Sequence, residues 1–415
     1  MDNVSYYIKE SKIILQTKEL KTEFLTKLNK SNNSKAKIIT IDIETIVKNG
    51  IHNAYLYSMY DGKNSYSWFS NNAKPLLGQL LKQKYKGYQV FAHNLSRFDI
   101  IFLFNEIAKL KHLFNITILK KDDKFIAISI VNKVKNISIT IKDSFLLLPS
   151  SLAKLSYQFN VEVSKGIEPV FTGDPTSEYF MEDLSHYSKD IDRIDDLNIW
   201  KDKVMKYCND DCISLYQVLI KFRELVFNNW NINIDKYPTT PSLAFAIFRG
   251  HYLRENEIPL TRGKVFNFIR ESFTGGSTEM YKPHGFNIHV YDVNSLYPST
   301  MKDNLFPTGK ITQFEGDISI LDNIYWIGDV NISTKKDLYQ PYIQFHHDTG
   351  NGLRTISPNG SWNMKLNSPE YYNALNDYNI TINNGYYFDV KDIFSQFVSD
   401  LYSLRLRITF LNKNN

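Results

Sequence analysis

The stretch Ile38-Ile39-Thr40-Ile41-Asp42-Ile43-Glu44-Thr45 constrains this chain more than any other. It is a run rich in β-branched residues, which favours a strand, with carboxylates at alternate positions. Alternate residues of a strand share a face, so Asp42 and Glu44 project side by side. Adjacent carboxylates repel each other unless a cation or a proton lies between them. Alternating acids are also common on a solvated edge strand. Here apolar residues flank the acids on both faces, which predicts a central buried strand, and a buried acid needs a partner.

Two later segments supply candidate partners. In Phe91-Ala92-His93-Asn94-Leu95-Ser96-Arg97-Phe98-Asp99 a strand ends in a polar cluster and a helix starts near Asp99. An acid there is either an ordinary N-cap or a third member of the group. In Tyr207-Cys208-Asn209-Asp210-Asp211, Tyr207 and Asp211 lie one helical turn apart and share a face. The bland reading is a surface helix with scattered acids. The sharper one is a Tyr that orients a water beside a carboxylate. Asp42, Glu44, Asp99 and Asp211 together could cage a pair of hard divalent ions, Mg²⁺ or Mn²⁺, the chemistry of phosphodiester hydrolysis.

The chain has 415 residues, enough for two or three domains. At 43% hydrophobic and 22% charged it can build cores and is not disordered by composition. The net charge of +5 permits a nucleic-acid partner without establishing one. The 27 Tyr and 27 Phe could stack on single strands, although in bulk aromatics more often fill cores. Cys208 and Cys212 offer neither zinc spacing nor a disulfide framework. No 18-residue apolar run suggests a membrane span, and the N-terminus has the look of neither a signal nor a transit peptide.

Residues 1–35 read as a polar N-terminal extension ending in the linker Lys30-Ser31-Asn32-Asn33-Ser34. Residues 36–230 alternate short strands and helices, an α/β layout with a mixed sheet. Expected strands cover 38–43, 54–59, 88–92, 116–119, 125–131 and 137–141. Expected helices cover 74–84, 99–108 and 199–225. A second region, 231–302, holds a helix near 242–254 and a strand at His289–Tyr291. Residues 303–395, rich in Asn, Gly, Asp and Pro, read as short strands and loops, and 396–415 as a helix.

As a set, acid-x-acid on a strand, Asn-x-x-x-x-Asp and Tyr-x-x-x-Asp resemble the three exonuclease motifs of family B DNA polymerases. The resemblance implies a ribonuclease H-like 3′–5′ exonuclease domain with two metals per site. Asp42, Glu44, Asp99 and Asp211 would be metal ligands, Tyr207 would orient the nucleophilic water, and Asn94 would contact the single-stranded primer end. Lys165 sits where these enzymes carry a lysine between the second and third motifs. The family has an apolar residue three positions later, where this chain has Glu168.

Asp292-Val293-Asn294-Ser295-Leu296-Tyr297-Pro298-Ser299 resembles the first palm motif of the same family. By that resemblance Asp292 is a catalytic metal ligand, Val293 touches the triphosphate, and Tyr297 packs on the incoming sugar. Phe273-Thr274-Gly275-Gly276 resembles the family's Tyr-x-Gly-Gly motif, which implies template-holding roles for Phe273, Gly275 and Gly276. Thr240-Pro241-Ser242-Leu243 resembles a nearby template-positioning segment with less specificity. The 303–395 stretch, with Ser368-Pro369-Glu370 and Asn384-Gly385, resembles the terminal-protein-region insertion of the protein-primed subgroup. That subgroup serves phages and linear plasmids, including mitochondrial ones. It implies DNA, dNTP and a terminal protein as partners and a mitochondrial location, the alternative being cytoplasmic.

The fingers string Lys-x-x-x-Asn-Ser-x-Tyr-Gly and the second palm string Asp-Thr-Asp are absent. The expected architecture is therefore an exonuclease domain followed by an incomplete α+β palm. A nucleotidyltransferase with only one palm acid is expected not to polymerise alone. The competing functions are a stand-alone 3′–5′ exonuclease and a non-catalytic nucleic-acid-binding relic.

Overall fold

The structure is a computed structural model of the chain. It describes residues 3–31, 37–122, 124–185, 187, 191–276, 278, 280, 282–348 and 350–411, the last five without their side chains. They form two units, residues 29–250 and residues 1–28 with 251–415.

The 29–250 unit is built on a seven-stranded mixed sheet. The acid-bearing strand, Ile38–Lys48, lies inside it between the antiparallel strand Ile51–Tyr60 and the parallel strand Tyr88–Ala92. Its period of two sorts the side chains. Ile39, Ile41 and Ile43 enter one core with Leu76, Leu77 and Leu80 of one helix and Leu103 and Ile107 of another. The even positions face the helix Leu197–Trp230: Ile38 packs on Leu215 and Leu219, and the Thr40 hydroxyl donates to the Cys212 carbonyl at 2.6 Å. Asp42 and Glu44 follow on this second face.

That helix starts where Asp196 accepts from the backbone N–H groups of Asn198 and Ile199. It ends at Asn231, which adopts the left-handed conformation. Trp200, Val204, Cys208, Asp211, Cys212, Leu215 and Leu219 are buried at helical spacing, so one stripe covers the sheet and carries Asp211 into it.

The second unit holds a six-stranded sheet in which the hairpin Val4–Lys9 and Lys12–Glu19 pairs with the strand Phe306–Gly316. Val4–Lys9 and Lys12–Glu19, within the expected extension, are thus strands of this sheet. Of the expected linker, Asn32 to Ser34 lie outside the described residues.

Within 303–395 the strands Phe345–Asp348 and Leu353–Ile356 are short as expected, but others are long. Ile324–Thr334 and Tyr378–Lys391 are long antiparallel partners in which Gly328 lies opposite Gly385. A Cβ on Gly385 would fall 2.1 Å from the Ile327 carbonyl oxygen and 2.9 Å from the Phe314 ring. Asn384-Gly385 is therefore a close backbone approach inside a sheet rather than a turn. Phe314 and Trp326 are buried beside it in a core with Leu15, Leu366 and Tyr371.

The strand expected at His289–Tyr291 does not form, and Asp292 follows irregular backbone instead. A strand needs a neighbour for its ladder, and no described residue pairs with this one. Phe286, Ile288, Val290 and Tyr291 are all exposed. The helix expected near 242–254 is Thr240–Ile247 followed by a π-helical turn, and the former lies in the 29–250 unit.

Candidate active site

Four acids from three parts of the sequence interact at the first sheet. Asp42 and Glu44 come from the central strand, Asp99 from the start of the helix Ile100–Lys109, and Asp211 from the long helix. Glu44, Asp99 and Asp211 are buried. Asp99 occupies an N-cap position, yet its side chain caps nothing. The N-cap alternative therefore fails, and another reason is needed to bury this carboxyl.

Burial, reinforced by the Asp42 charge, lifts the carboxyls of Glu44 and Asp99 well above the usual range. The same causes bring Asp211 up to about 7, against the opposing pull of Lys165. The Lys165 amine bonds to Asp211 and donates to the Tyr207 hydroxyl at 2.7 Å. Burial works against the charge of this amine, but Asp211, Tyr207 and Asp42 more than offset it and hold it protonated. Burial and the neighbouring acids raise the Tyr207 hydroxyl too, so Tyr207 stays a neutral hydrogen-bonding group. One oxygen of Asp211, Oδ1, is buried with no hydrogen-bond partner.

A cluster of carboxylates with one lysine and one orphaned oxygen is short of positive charge. Divalent cations with hard oxygen ligands suit that deficit. The donor set therefore fits Mg²⁺ or Mn²⁺, with Asp42, Glu44, Asp99 and Asp211 as the available ligands. Cys208 Sγ also lies within 4.8 Å of ligand atoms of Asp42 and Glu44. It is 3.7 Å from Asp42 Oδ2, to which it donates weakly. A soft thiol is a poor ligand for Mg²⁺, so this contact orients Asp42.

The shifts have a sign that can be tested. Between about pH 4 and 7 the folded, ion-free chain holds protons on Asp211 that the unfolded chain has released. In EDTA, stability is therefore expected to fall as pH rises from 5 to 8. Saturating Mg²⁺ should raise the melting temperature more at pH 8 than at pH 5. Thermal melts at both pH values, with and without the ion, check both slopes.

The remaining sequence candidates are placed as follows. Asn94 is half-buried with a left-handed φ of 65°, a conformation Asn tolerates, just before the turn Leu95–Arg97. Asp292, Val293 and Tyr297 are exposed, and all belong to the other unit. So do Gly275, Gly276 and Phe273, whose exposed ring lies 5.1 Å from the Arg270 guanidinium. Within the 29–250 unit the structure thus brings Asp42, Glu44, Asp99, Lys165, Tyr207 and Asp211 together.

Sequence reasoning missed three contributors. Asp143 is fully buried, accepts from the backbone and hydroxyl of Ser96, and helps to raise Asp99. Glu168 and Tyr55 interact with Glu44. Burial, with the Asp42 and Asp211 charges, lifts Glu168 to about 7 although Lys165 pulls the other way. An acid three residues after Lys165 was the available signal for Glu168. The role of Tyr55 depends on a bulge that no local pattern announces.

Comparison with known proteins places the chain in a DNA polymerase lineage. Residues 80–412 match the family described as DNA polymerase type B, organellar and viral, and the chain belongs to that family. It is 33% identical to a probable DNA polymerase of Neurospora intermedia, over 96% of this chain and 47% of that one. A probable DNA polymerase of Ascobolus immersus is 30% identical, over 97% of this chain and 36% of that one. The chain therefore spans about half or less of the length of these relatives. Among solved structures, Phi29 DNA polymerase complexed with primer-template DNA and incoming nucleotide substrates aligns with a TM-score of 0.64 at 20% identity. That alignment covers 89% of this chain and 64% of the other, and it is a likeness of fold.

Proposed function

We propose that residues 29–250 are a 3′–5′ exonuclease acting on the single-stranded end of DNA, within a protein-primed replication polymerase. The observation that carries this is the meeting of acids from three distant segments, with Lys165 and Tyr207 beside Asp211 and Asp211 Oδ1 left unpartnered. Asp42, Glu44, Asp99 and Asp211 would hold two divalent ions, which when bound supply charge stabilisation and an acidified water. Tyr207 adds a neutral hydrogen bond that can orient that water. Lys165 fixes the Tyr207 hydroxyl and the Asp211 carboxylate in one arrangement. Asn94, in the strand–helix turn, would contact the DNA end.

Asp292, with Val293 and Tyr297 for nucleotide and Phe273, Gly275 and Gly276 for template, would belong to the polymerising centre. These 415 residues supply one acid of that centre. The reading for this chain alone is therefore hydrolysis and DNA binding without synthesis. A terminal protein as primer, and a linear plasmid in a fungal mitochondrion as the replicon, complete the proposal. The fungal sources of the two relatives support that setting.

The test is incubation of 3′-labelled single-stranded DNA with the purified chain and Mg²⁺. Wild type should release label. Asp42→Ala should release it at least about 100-fold more slowly, since even outer partners of a metal site cost 10–100-fold. Equal rates for the two proteins would refute the assignment.

A further inference from the structure

We propose that Asp143 is a positioning residue of the cation site: it latches the turn between Asn94 and Asp99 and so fixes Asp99 for a divalent ion. The inference rests on the exonuclease reading above, and it concerns a residue to which the motifs assign no role.

The geometry begins where two strands end together. Tyr88–Ala92 and Ile137–Asp143 run parallel, and Asp143 lies opposite Ala92 in the last pair of their ladder. Beyond Ala92 the chain makes the turn Leu95–Arg97 and reaches Asp99. The turn is weakly held from within. Asn94 is left-handed, and the bonds from the Arg97 N–H to the Asn94 carbonyl and from the Phe98 N–H to the Leu95 carbonyl are both 3.3 Å long. Ordinary N–H···O bonds span about 2.7–3.2 Å. The bonds to Asp143 are shorter. Its Oδ2 accepts from the Ser96 backbone N–H at 2.9 Å and from the Ser96 hydroxyl at 2.6 Å. The residues after Asp143 grip the approach to the turn. The Ser144 hydroxyl donates to the Ala92 carbonyl at 3.0 Å, and His93 Nε2 donates to the Ser150 carbonyl at 2.8 Å.

A local role does not account for this carboxylate. Asp143 also caps the turn Ser144–Leu146, but the cap takes only Oδ1, which accepts from the Phe145 N–H at 2.9 Å. Asn or Ser caps such a turn as well as Asp does. Three converging donors require a group that only accepts, and burying a carboxylate is costly without them. Asp143 and Ser96 are both buried, where water competes little for their bonds. The Asp99 side chain makes no cap bond, so the backbone that carries it sets its place. Ser96 lies on that backbone, three residues before Asp99. A turn free to shift would carry Asp99 away from Asp42 and Glu44, whose strand pairs with Tyr88–Ala92. Ligands of a metal depend on such outer bonds, because small misplacements of their oxygens weaken the ion's hold.

The experiment is calorimetric titration of Mn²⁺ into the full chain, without DNA, for wild type, Asp143→Asn, Ser96→Ala and Asp42→Ala, with melting curves in EDTA beside it. Asp143→Asn keeps the shape, but its amide group leaves the N–H of either Ser96 or Phe145 facing another donor. Its Kd is expected to rise about 10-fold or more, within the range for outer partners of a metal. Ser96→Ala removes the hydroxyl bond and keeps the backbone bond, so a smaller rise is expected. A merely structural role would lower the melting temperature in EDTA and leave the Kd of the folded protein unchanged. If Asp143→Asn binds Mn²⁺ as wild type does while Asp42→Ala loses binding, the inference falls and the cation site stands. If Asp143→Asn does not fold, Ser96→Ala decides: a raised Kd supports the latch, and a wild-type Kd overturns it. If Asp42→Ala binds as wild type does, the exonuclease reading itself falls.

Discussion

Asp211→Asn is expected to lower single-strand hydrolysis by more than about 100-fold while leaving the helix that carries it intact. The side chain lies where three demands meet. One oxygen takes the Lys165 amine, the other is orphaned and buried, and Tyr207 stands one turn away on the same face. Asn preserves the volume but replaces an oxygen ligand with an amide that cannot bind a cation. If the amide nitrogen faces Lys165, two donors meet. If it faces inward, the site keeps a buried group without a partner. Either arrangement costs about 1–3 kcal/mol of stability. The measurements are the hydrolysis rate in Mg²⁺ and a urea titration in EDTA. Helical circular dichroism separates a lost ligand from a lost fold.

The largest stability effect is expected at Trp326→Ala. Trp326 is fully buried in the core of the second sheet, with ring centroids 5.1 Å from Tyr371 and 6.4 Å from Phe314. Truncating an aromatic in such a place costs about 3–5 kcal/mol through lost transfer energy and the cavity left behind. For a unit of this size that corresponds to a fall in melting temperature on the order of 10 °C. Trp326→Phe should cost far less than that. The indole Nε1 has no hydrogen-bond partner, so Phe gives up area but no bond. Calorimetric scans of both variants check the order; a Phe variant as damaged as the Ala variant would contradict it.

The site was more legible in the sequence than the fold around it, and the reason is periodicity. Asp42 and Glu44 declare a shared face by their spacing of two, and Tyr207 and Asp211 by their spacing of four. Such patterns are local, so they survive without knowledge of the tertiary structure. The hairpin Val4–Lys9 and Lys12–Glu19 had no such declaration. Its place in a sheet depends on pairing with Phe306–Gly316, roughly three hundred residues away in the chain. The long strands around Gly328 and Gly385 were hidden for a different reason. Glycine signals a turn in sequence, whereas here it makes room for the Phe314 and Trp326 rings. The bulge that sets Tyr55 beside Glu44 leaves no mark in composition or spacing at all.

Asp292 marks the opposite case. Its string of residues is distinctive, yet its surroundings are exposed backbone without a ladder. A motif names a chemistry, but the chemistry needs partners that hold the group in place. In the 29–250 unit those partners are present on the sheet and the long helix. Among the described residues, Asp292 belongs to no group of three or more His, Cys, Asp or Glu whose ligand atoms lie within 4.8 Å of one another.

Direction of hydrolysis tests the central claim most directly. Single-stranded DNA labelled at its 3′ nucleotide, and the same strand labelled at its 5′ end, are incubated in parallel with the wild-type chain and Mg²⁺. The 3′ label should leave first, as a mononucleotide, while the 5′ label stays on a strand that shortens step by step, and EDTA should stop both changes. Release of the 5′ label first, or hydrolysis that continues in EDTA, would contradict an exonuclease built on Asp42, Glu44, Asp99 and Asp211.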